Sequence, residues 1–93
     1  MGRWGKTKVG NLFVNFRRNK RLRQQDLARD LRISVNYEWM IETGRALPSL
    51  EILIRLCERI EFNPNIARQY LFDDKIDNYH QKITKELNME KIL

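Results

Sequence analysis

Disulfide-stapled and zinc-centred architectures are excluded first. The 93 residues contain one cysteine, Cys57, and one histidine, His80, so no internal disulfide can close and no Cys/His set can hold a structural zinc. With only two prolines and four glycines, the chain lacks the composition of a disordered segment. Long apolar runs are missing as well. The nearest, Leu50 to Ile60, is broken by Glu51, Arg55, Glu58 and Arg59, which is incompatible with a bilayer span. No signal-peptide pattern opens the sequence, so the expected compartment is the cytoplasm and no membrane partner is expected. No glycine-rich phosphate loop, no histidine paired with a nucleophile and no metal-ligand cluster are present, so neither an enzyme nor a bound cofactor is expected.

What is present is basic charge, unevenly placed. Lys+Arg number 18 against 12 Asp+Glu, a formal net charge of +6. Residues 1–32 hold ten Lys/Arg against Asp26 and Asp30, whereas the remainder is close to neutral. A basic front half points to a polyanion, with nucleic acid the leading partner; the plainer alternative is a solvated surface that maintains solubility.

The apolar spacing is helical throughout, and no segment alternates as a strand does. Residues 1–8 carry no periodicity and read as a flexible basic arm. Val9, Phe13 and Phe16, with Leu12 beside them, mark a first helix ending near Lys20 or Arg21. A second short helix runs from Gln24 to about Leu31, with Leu27, Ala28 and Leu31 inward and Asp26 in the first turn, where the helix dipole favours a carboxylate. Ser34 caps a third helix that reaches Glu42–Thr43, and Gly44 ends it. Pro48-Ser49 restarts the chain into a fourth, with Leu50, Leu53, Leu56, Cys57 and Ile60 on one face. Asn63-Pro64 starts a fifth. Beyond it Ile66, Tyr70, Ile76, Tyr79, Ile83 and Leu87 form a seam that Asp73-Asp74 interrupts, dividing the tail into two helices. The expected fold is all-α: a five-helix bundle containing a helix-turn-helix, plus a C-terminal helical extension. Its parts are an arm over 1–8, a helical unit over 9–62 and an extension over 63–93.

Two short helices joined by a tight turn behind a basic first helix are the outline of a helix-turn-helix. Here the residues resemble the phage repressor and Cro-like class. The matching positions are Arg17, then Gln24-Gln25-Asp26-Leu27-Ala28, then Ile41-Glu42-Thr43-Gly44, then Pro48-Ser49-Leu50 with Leu53 following. The resemblance covers roughly residues 9–62 and implies an ion pair between Arg17 and Glu42. It departs from the family's pattern at Arg21 and Arg32, where glycine is usual. Each arginine would take a left-handed backbone at a cost of about 1 kcal/mol. Glu38 stands where the family buries an aliphatic residue, and must find a base, reach solvent or be displaced by a rotated helix.

The resemblance implies double-stranded DNA as partner. Val35, Asn36, Tyr37, Trp39 and Met40 lie along the outward side of the recognition helix and are the expected base contacts; Asn36 suits adenine, Val35 and Met40 a thymine methyl. Trp39 stacks on sugar or base, or else folds inward as core or a protein contact. Gln24, Arg23, Thr43 and Arg45, with the arm residues Arg3, Lys6 and Lys8, are the expected backbone contacts; the arm alternatively is only a leader. A reader this small normally acts as a symmetric homodimer. Ile52, Ile54, Phe62, Ile66, Tyr70, Ile76, Tyr79, Ile83 and Leu87 are the apolar surface for dimer or partner contact, unless the seam packs on its own domain. The expected function is a sequence-specific transcriptional regulator, most simply a repressor or autoregulator on a palindromic operator. The alternative is an antitoxin or adaptor of the same fold whose main partner is a protein.

Overall fold

The computed structural model of the chain describes residues 7–92. Five α-helices follow one another within them: α1 (Lys8–Asn19), α2 (Gln24–Leu31), α3 (Val35–Glu42), α4 (Leu50–Ile60) and α5 (Pro64–Ile92). No strand occurs among the described residues, and the fold is all-α as the periodicity required. Side-chain hydroxyls start three of the helices. Thr7 accepts from the Gly10 N–H (2.8 Å), Ser34 from Tyr37 (3.0 Å) and Ser49 from Ile52 (3.2 Å), each satisfying a first-turn donor without a partner in its own helix.

Left-handed residues turn the chain between helices. Gly44 does so without a Cβ clash at φ 78°, but Arg21 (56°), Arg32 (61°) and Glu61 (53°) carry side chains there. The first two are the expected departures from glycine. Glu61 was not anticipated, and it closes α4 in the same way.

Around the core, α1 contributes Val9, Phe13 and Phe16, α2 Leu27 and Leu31, and α3 Ile41. Ala28, also buried, allows α2 and α3 to approach closely. In α4 the expected Leu53, Leu56 and Cys57 are buried, but two positions differ, and in α5 the buried face is shifted. In α4 the inward set is Ile52, Leu53, Leu56 and Cys57, while Leu50, expected inside, is exposed. Ile52, expected on a dimer surface, is therefore a core residue. In α5 the buried line is Ala67, Leu71 and Asp74, one position on from Ile66 and Tyr70.

Asp73-Asp74 does not divide the tail, since α5 is one continuous helix of 29 residues. The reason is that both carboxylates find donors on α1. Asp74 is buried, and its two oxygens accept the backbone N–H groups of Lys8 and Val9, each at 2.9 Å. Asp73 accepts from the Lys8 ammonium at 2.8 Å. One helix thus caps another, with a negative charge at the positive end of its dipole. Lys8 accordingly belongs to α1 and not to an arm. The first turns of α5 share the core of residues 9–62 through Ala67 and Leu71.

Replacing Asp74 with Ala leaves two first-turn donors unpaired, that of Val9 buried and that of Lys8 partly so, at about 1–3 kcal/mol. The expected outcome is a thermal midpoint lowered by roughly 10 °C in a circular dichroism melt, with Asp74→Asn intermediate. An unchanged midpoint for Asp74→Ala would contradict the cap.

Candidate nucleic-acid interface

The helix-turn-helix is closed by its own backbone. Arg32 bends the chain left-handed after α2, and the Ile33 N–H returns to the Ala28 carbonyl at 3.0 Å. Half-buried Ile33 packs into the core beside buried Leu27, Leu31 and Ile41. This fixes α3 against α2 and leaves one side of α3 outward.

A single carboxylate then fastens α3 to the scaffold. Glu42 is fully buried, and Arg17 of α1 grips it with two parallel bonds, Nε to Oε2 at 2.8 Å and Nη2 to Oε1 at 3.0 Å. The remaining Arg17 nitrogen, Nη1, donates to the Leu22 carbonyl at 3.0 Å. Gln24, the first residue of α2, adds Nε2 to Glu42 Oε1 at 3.1 Å. Burial alone would push the Glu42 carboxyl up. The hydrogen bonds it accepts and the Arg17 charge outweigh this and hold it below the ordinary value.

Glu38, one turn earlier, follows none of the three routes open to it in the sequence. It is fully buried, and neither oxygen has a hydrogen-bond partner among the described residues. Burial first, then the adjacent Glu42 carboxylate, pushes its pKa up to about 9. At neutral pH it is an uncharged carboxylic acid inside the recognition helix, which avoids the cost of a stranded charge.

The outward side of α3 presents Val35, Asn36 and Trp39, all exposed, with Met40 half-buried behind them. The Asn36 amide rests against the Met40 sulfur at 3.7 Å. Two expected contacts are committed inside the chain. The Tyr37 hydroxyl donates to the Leu47 carbonyl at 3.3 Å and accepts the Ser49 N–H at 3.2 Å, tying α3 to the start of α4. Thr43 is buried, and its hydroxyl donates back to the Trp39 carbonyl at 2.9 Å. Neither the Tyr37 hydroxyl proton, expected at a base, nor that of Thr43, expected at a phosphate, is free in this arrangement.

Among the expected backbone contacts, Gln24 gives one amide proton to Glu42 and keeps the other. Arg23 is exposed but grips Asp26 in its own first turn, Nε to Oδ2 at 3.1 Å. Arg45 is exposed, with its guanidinium 4.7 Å from the centre of the Trp39 ring. The Lys8 ammonium is held by Asp73, while Arg3 and Lys6 lie outside the described residues.

Of the apolar surface, Phe62 and Tyr70 are half-buried with ring centroids 6.1 Å apart, while Ile54 and Ile66 are exposed. Ile76, Tyr79 and Leu87 are exposed along α5, with Ile83 partly covered. Phe72 is 58% exposed and heads this line, though sequence reasoning passed it over. Its signal was the spacing Phe72, Ile76, Tyr79, Ile83, Leu87, which keeps to one helical face. Asp74 was also missed as a site residue; an acid in register with Ala67 and Leu71 was its mark. Among the described residues, no helix is long and apolar enough to cross a membrane, and no cluster of His, Cys, Asp or Glu is placed to hold a metal ion.

Glu38 makes stability depend on pH with a definite sign. Its carboxyl is raised when folded, so its favourable contribution is complete below about 4.5 and is lost as pH rises toward about 9. Native protein should melt at progressively lower temperature from pH 5 to pH 9, with a slope of up to about 1.4 kcal/mol per pH unit from this group. Glu38→Gln, which keeps the shape without the titration, should flatten that profile. Parallel profiles for the two proteins would contradict a buried neutral acid.

Comparison with known proteins agrees with this architecture. The sequence profile of a helix-turn-helix domain family matches residues 9–68. The chain is 36% identical over 61 residues to the ImmF control region 10 kDa protein of Bacillus phage phi105, a match covering 66% of this chain and 68% of that protein. The crystal structure of the clp gene regulator ClgR from Corynebacterium glutamicum is similar in fold, with a TM-score of 0.57 at 20% identity over 88% of each chain. With the family profile spanning both helices of the motif and the Arg17–Glu42 pair in place, the chain belongs to the helix-turn-helix family, in its phage repressor and Cro-like class.

Proposed function

We propose that this chain is a DNA-binding transcriptional regulator that acts as a homodimer on a palindromic operator, as a repressor or autoregulator in the cytoplasm. The observation that carries the reading is the division of α3 into two sides. Its inner side is locked by Glu42 to α1 and α2, and its outer side offers Val35, Asn36 and Met40 to solvent on a rigid mount. Asn36 has the donor and acceptor needed for adenine N6 and N7. Specificity rests on these uncharged side chains, because the only charged residues of α3 are Glu38 and Glu42. Arg45, Arg23 and the free amide proton of Gln24 grip phosphates, with Arg3 and Lys6 adding charge from the N-terminal side.

The second copy packs along Phe72, Ile76, Tyr79, Ile83 and Leu87. Water-exposed apolar groups at this spacing gain by burial against the same line on a partner, and a two-fold pairing presents two recognition helices to half-sites about 34 Å apart. The likeness to a phage control region protein supports the regulatory reading. A heterologous protein on the same line of α5 is the competing reading, and oligomeric state separates the two.

In a fluorescence-anisotropy titration on genomic fragments, affinity should fall about 10³-fold or more between 50 and 200 mM salt if six or more phosphates are contacted. The full chain should sediment as a dimer with a thermal midpoint that rises with protein concentration. Tyr79→Lys should sediment as a monomer with the same helical circular dichroism, a lower and concentration-independent midpoint, and weaker DNA binding. Salt-independent binding would contradict the DNA reading. A monomeric native chain would contradict the dimer.

A further inference from the structure

We propose that Trp39 is a positioning residue for Arg45, holding its guanidinium ready to clamp a DNA phosphate, and is not itself a base reader. The inference rests on the DNA-binding reading above and assigns separate tasks to two residues at the C-terminal end of the recognition helix.

The backbone of Arg45 is fixed relative to α3. Gly44 turns left-handed at φ 78°, and the Arg45 N–H returns to the Met40 carbonyl at 2.8 Å, with Ala46 bonding the same carbonyl at 3.2 Å. Trp39 is held from the same side, because its carbonyl accepts both the N–H of Thr43 at 3.0 Å and the Thr43 hydroxyl at 2.9 Å. Between these two anchored residues lies the stack, a guanidinium 4.7 Å from the indole centroid. Both ends of the contact are pinned to one helical turn.

What the stack leaves free matters most. Arg17, Arg23, Arg55 and Arg59 each hold a carboxylate at 3.1 Å or less. Arg45 makes no such pair and no side-chain hydrogen bond among the described residues. A guanidinium held over an aromatic face by cation–π attraction spends no hydrogen-bond acceptor on that contact, so N–H donors of Arg45 stay available to a ligand. The guanidinium fork matches two oxygens of one phosphate. Holding the side chain in this orientation beforehand removes ordering that binding would otherwise require.

The same contact limits what Trp39 can do by itself. Trp39 is 37% exposed, with the Arg45 guanidinium over one face of its ring. A base or sugar cannot stack on that face without displacing Arg45. The indole has only one donor and no acceptor, which is a poor reading head for base edges.

The test uses the full chain on the duplex it binds best, comparing Arg45→Ala, Trp39→Ala, Trp39→Phe and the Trp39→Ala/Arg45→Ala double variant. Arg45→Ala should weaken binding about tenfold and reduce the slope of log affinity against log salt by about 0.9, the value for one lost phosphate contact. Trp39→Ala should weaken binding severalfold with the slope and the preferred sequence unchanged, because Arg45 still reaches the phosphate but is no longer held. Trp39→Phe, which keeps an aromatic face, should recover most of the loss. The double variant should bind no worse than Arg45→Ala. Additive losses, or a preference altered at one base pair by Trp39→Ala, would overturn the proposal and make Trp39 a reader. An unchanged salt slope in Arg45→Ala would overturn it while leaving the DNA reading intact. Failure of the native chain to bind any duplex would overturn both.

Discussion

The carboxylate of Glu42 is the point on which the rest of the structure depends. It belongs to α3, yet its donors come from α1 and α2: two from Arg17 and one from Gln24. Three helices that meet largely through apolar side chains are thereby given one mutual orientation. Apolar contacts are non-directional and tolerate rotation, whereas a bidentate pair does not. The arrangement also dictates the state of its neighbour. With Glu42 charged and satisfied, a second charge at Glu38 in the same dry space would be repelled and unsolvated, so Glu38 remains protonated. Two acids on one short helix thus occupy opposite states. Losing a partner of the Arg17–Glu42 pair would strand the other charge, a cost of about 3–5 kcal/mol for a buried pair.

This mount explains how a recognition helix of eight residues can be held rigidly. Isolated helices of that length are not stable in water. Ser34 at its start, Gly44 at its end, Tyr37 reaching Leu47 and Ser49, and Glu42 beneath it supply what the helix lacks by itself. All of these contacts lie on the inner side or at the ends. The outer side is left with Val35, Asn36 and the Trp39–Arg45 stack, and it is there that the proposed readout and phosphate clamp reside. The second mount is Asp74, which secures α5 to the first turn of α1. Beyond that point α5 carries its apolar line outward for the proposed second copy.

Much of this was legible in the sequence because it is local. The cap at Ser34, the restart at Pro48-Ser49, the stop at Gly44, and the inward sets of α1 and α2 follow from spacing and backbone chemistry within a few residues. The left-handed arginines at 21 and 32 and the Arg17–Glu42 pair were legible only through the resemblance to a known class. What escaped was non-local or chemically ambiguous. The Asp74 carboxylate meets the start of α1 across 65 and 66 residues of sequence, so in one dimension it reads as a break in an apolar seam. Thr43 and Tyr37 carry hydroxyls that serve equally well on DNA or on a carbonyl of their own chain; only packing chooses between these uses. The exchange of Leu50 for Ile52 inside α4 is a rotation about the helix axis that the apolar pattern, rich on both sides, did not determine.

The central claim is that sequence is read by the outer side of α3 on the mount that Glu42 secures. Selection of bound sequences from random duplexes, run in parallel with the native chain and Asn36→Ala, tests it most directly. The account predicts a two-fold symmetric motif for the native chain, with an adenine preference in each half-site that Asn36→Ala loses while the rest of the motif persists. An identical motif from both proteins, or no enriched motif from the native chain, would contradict it.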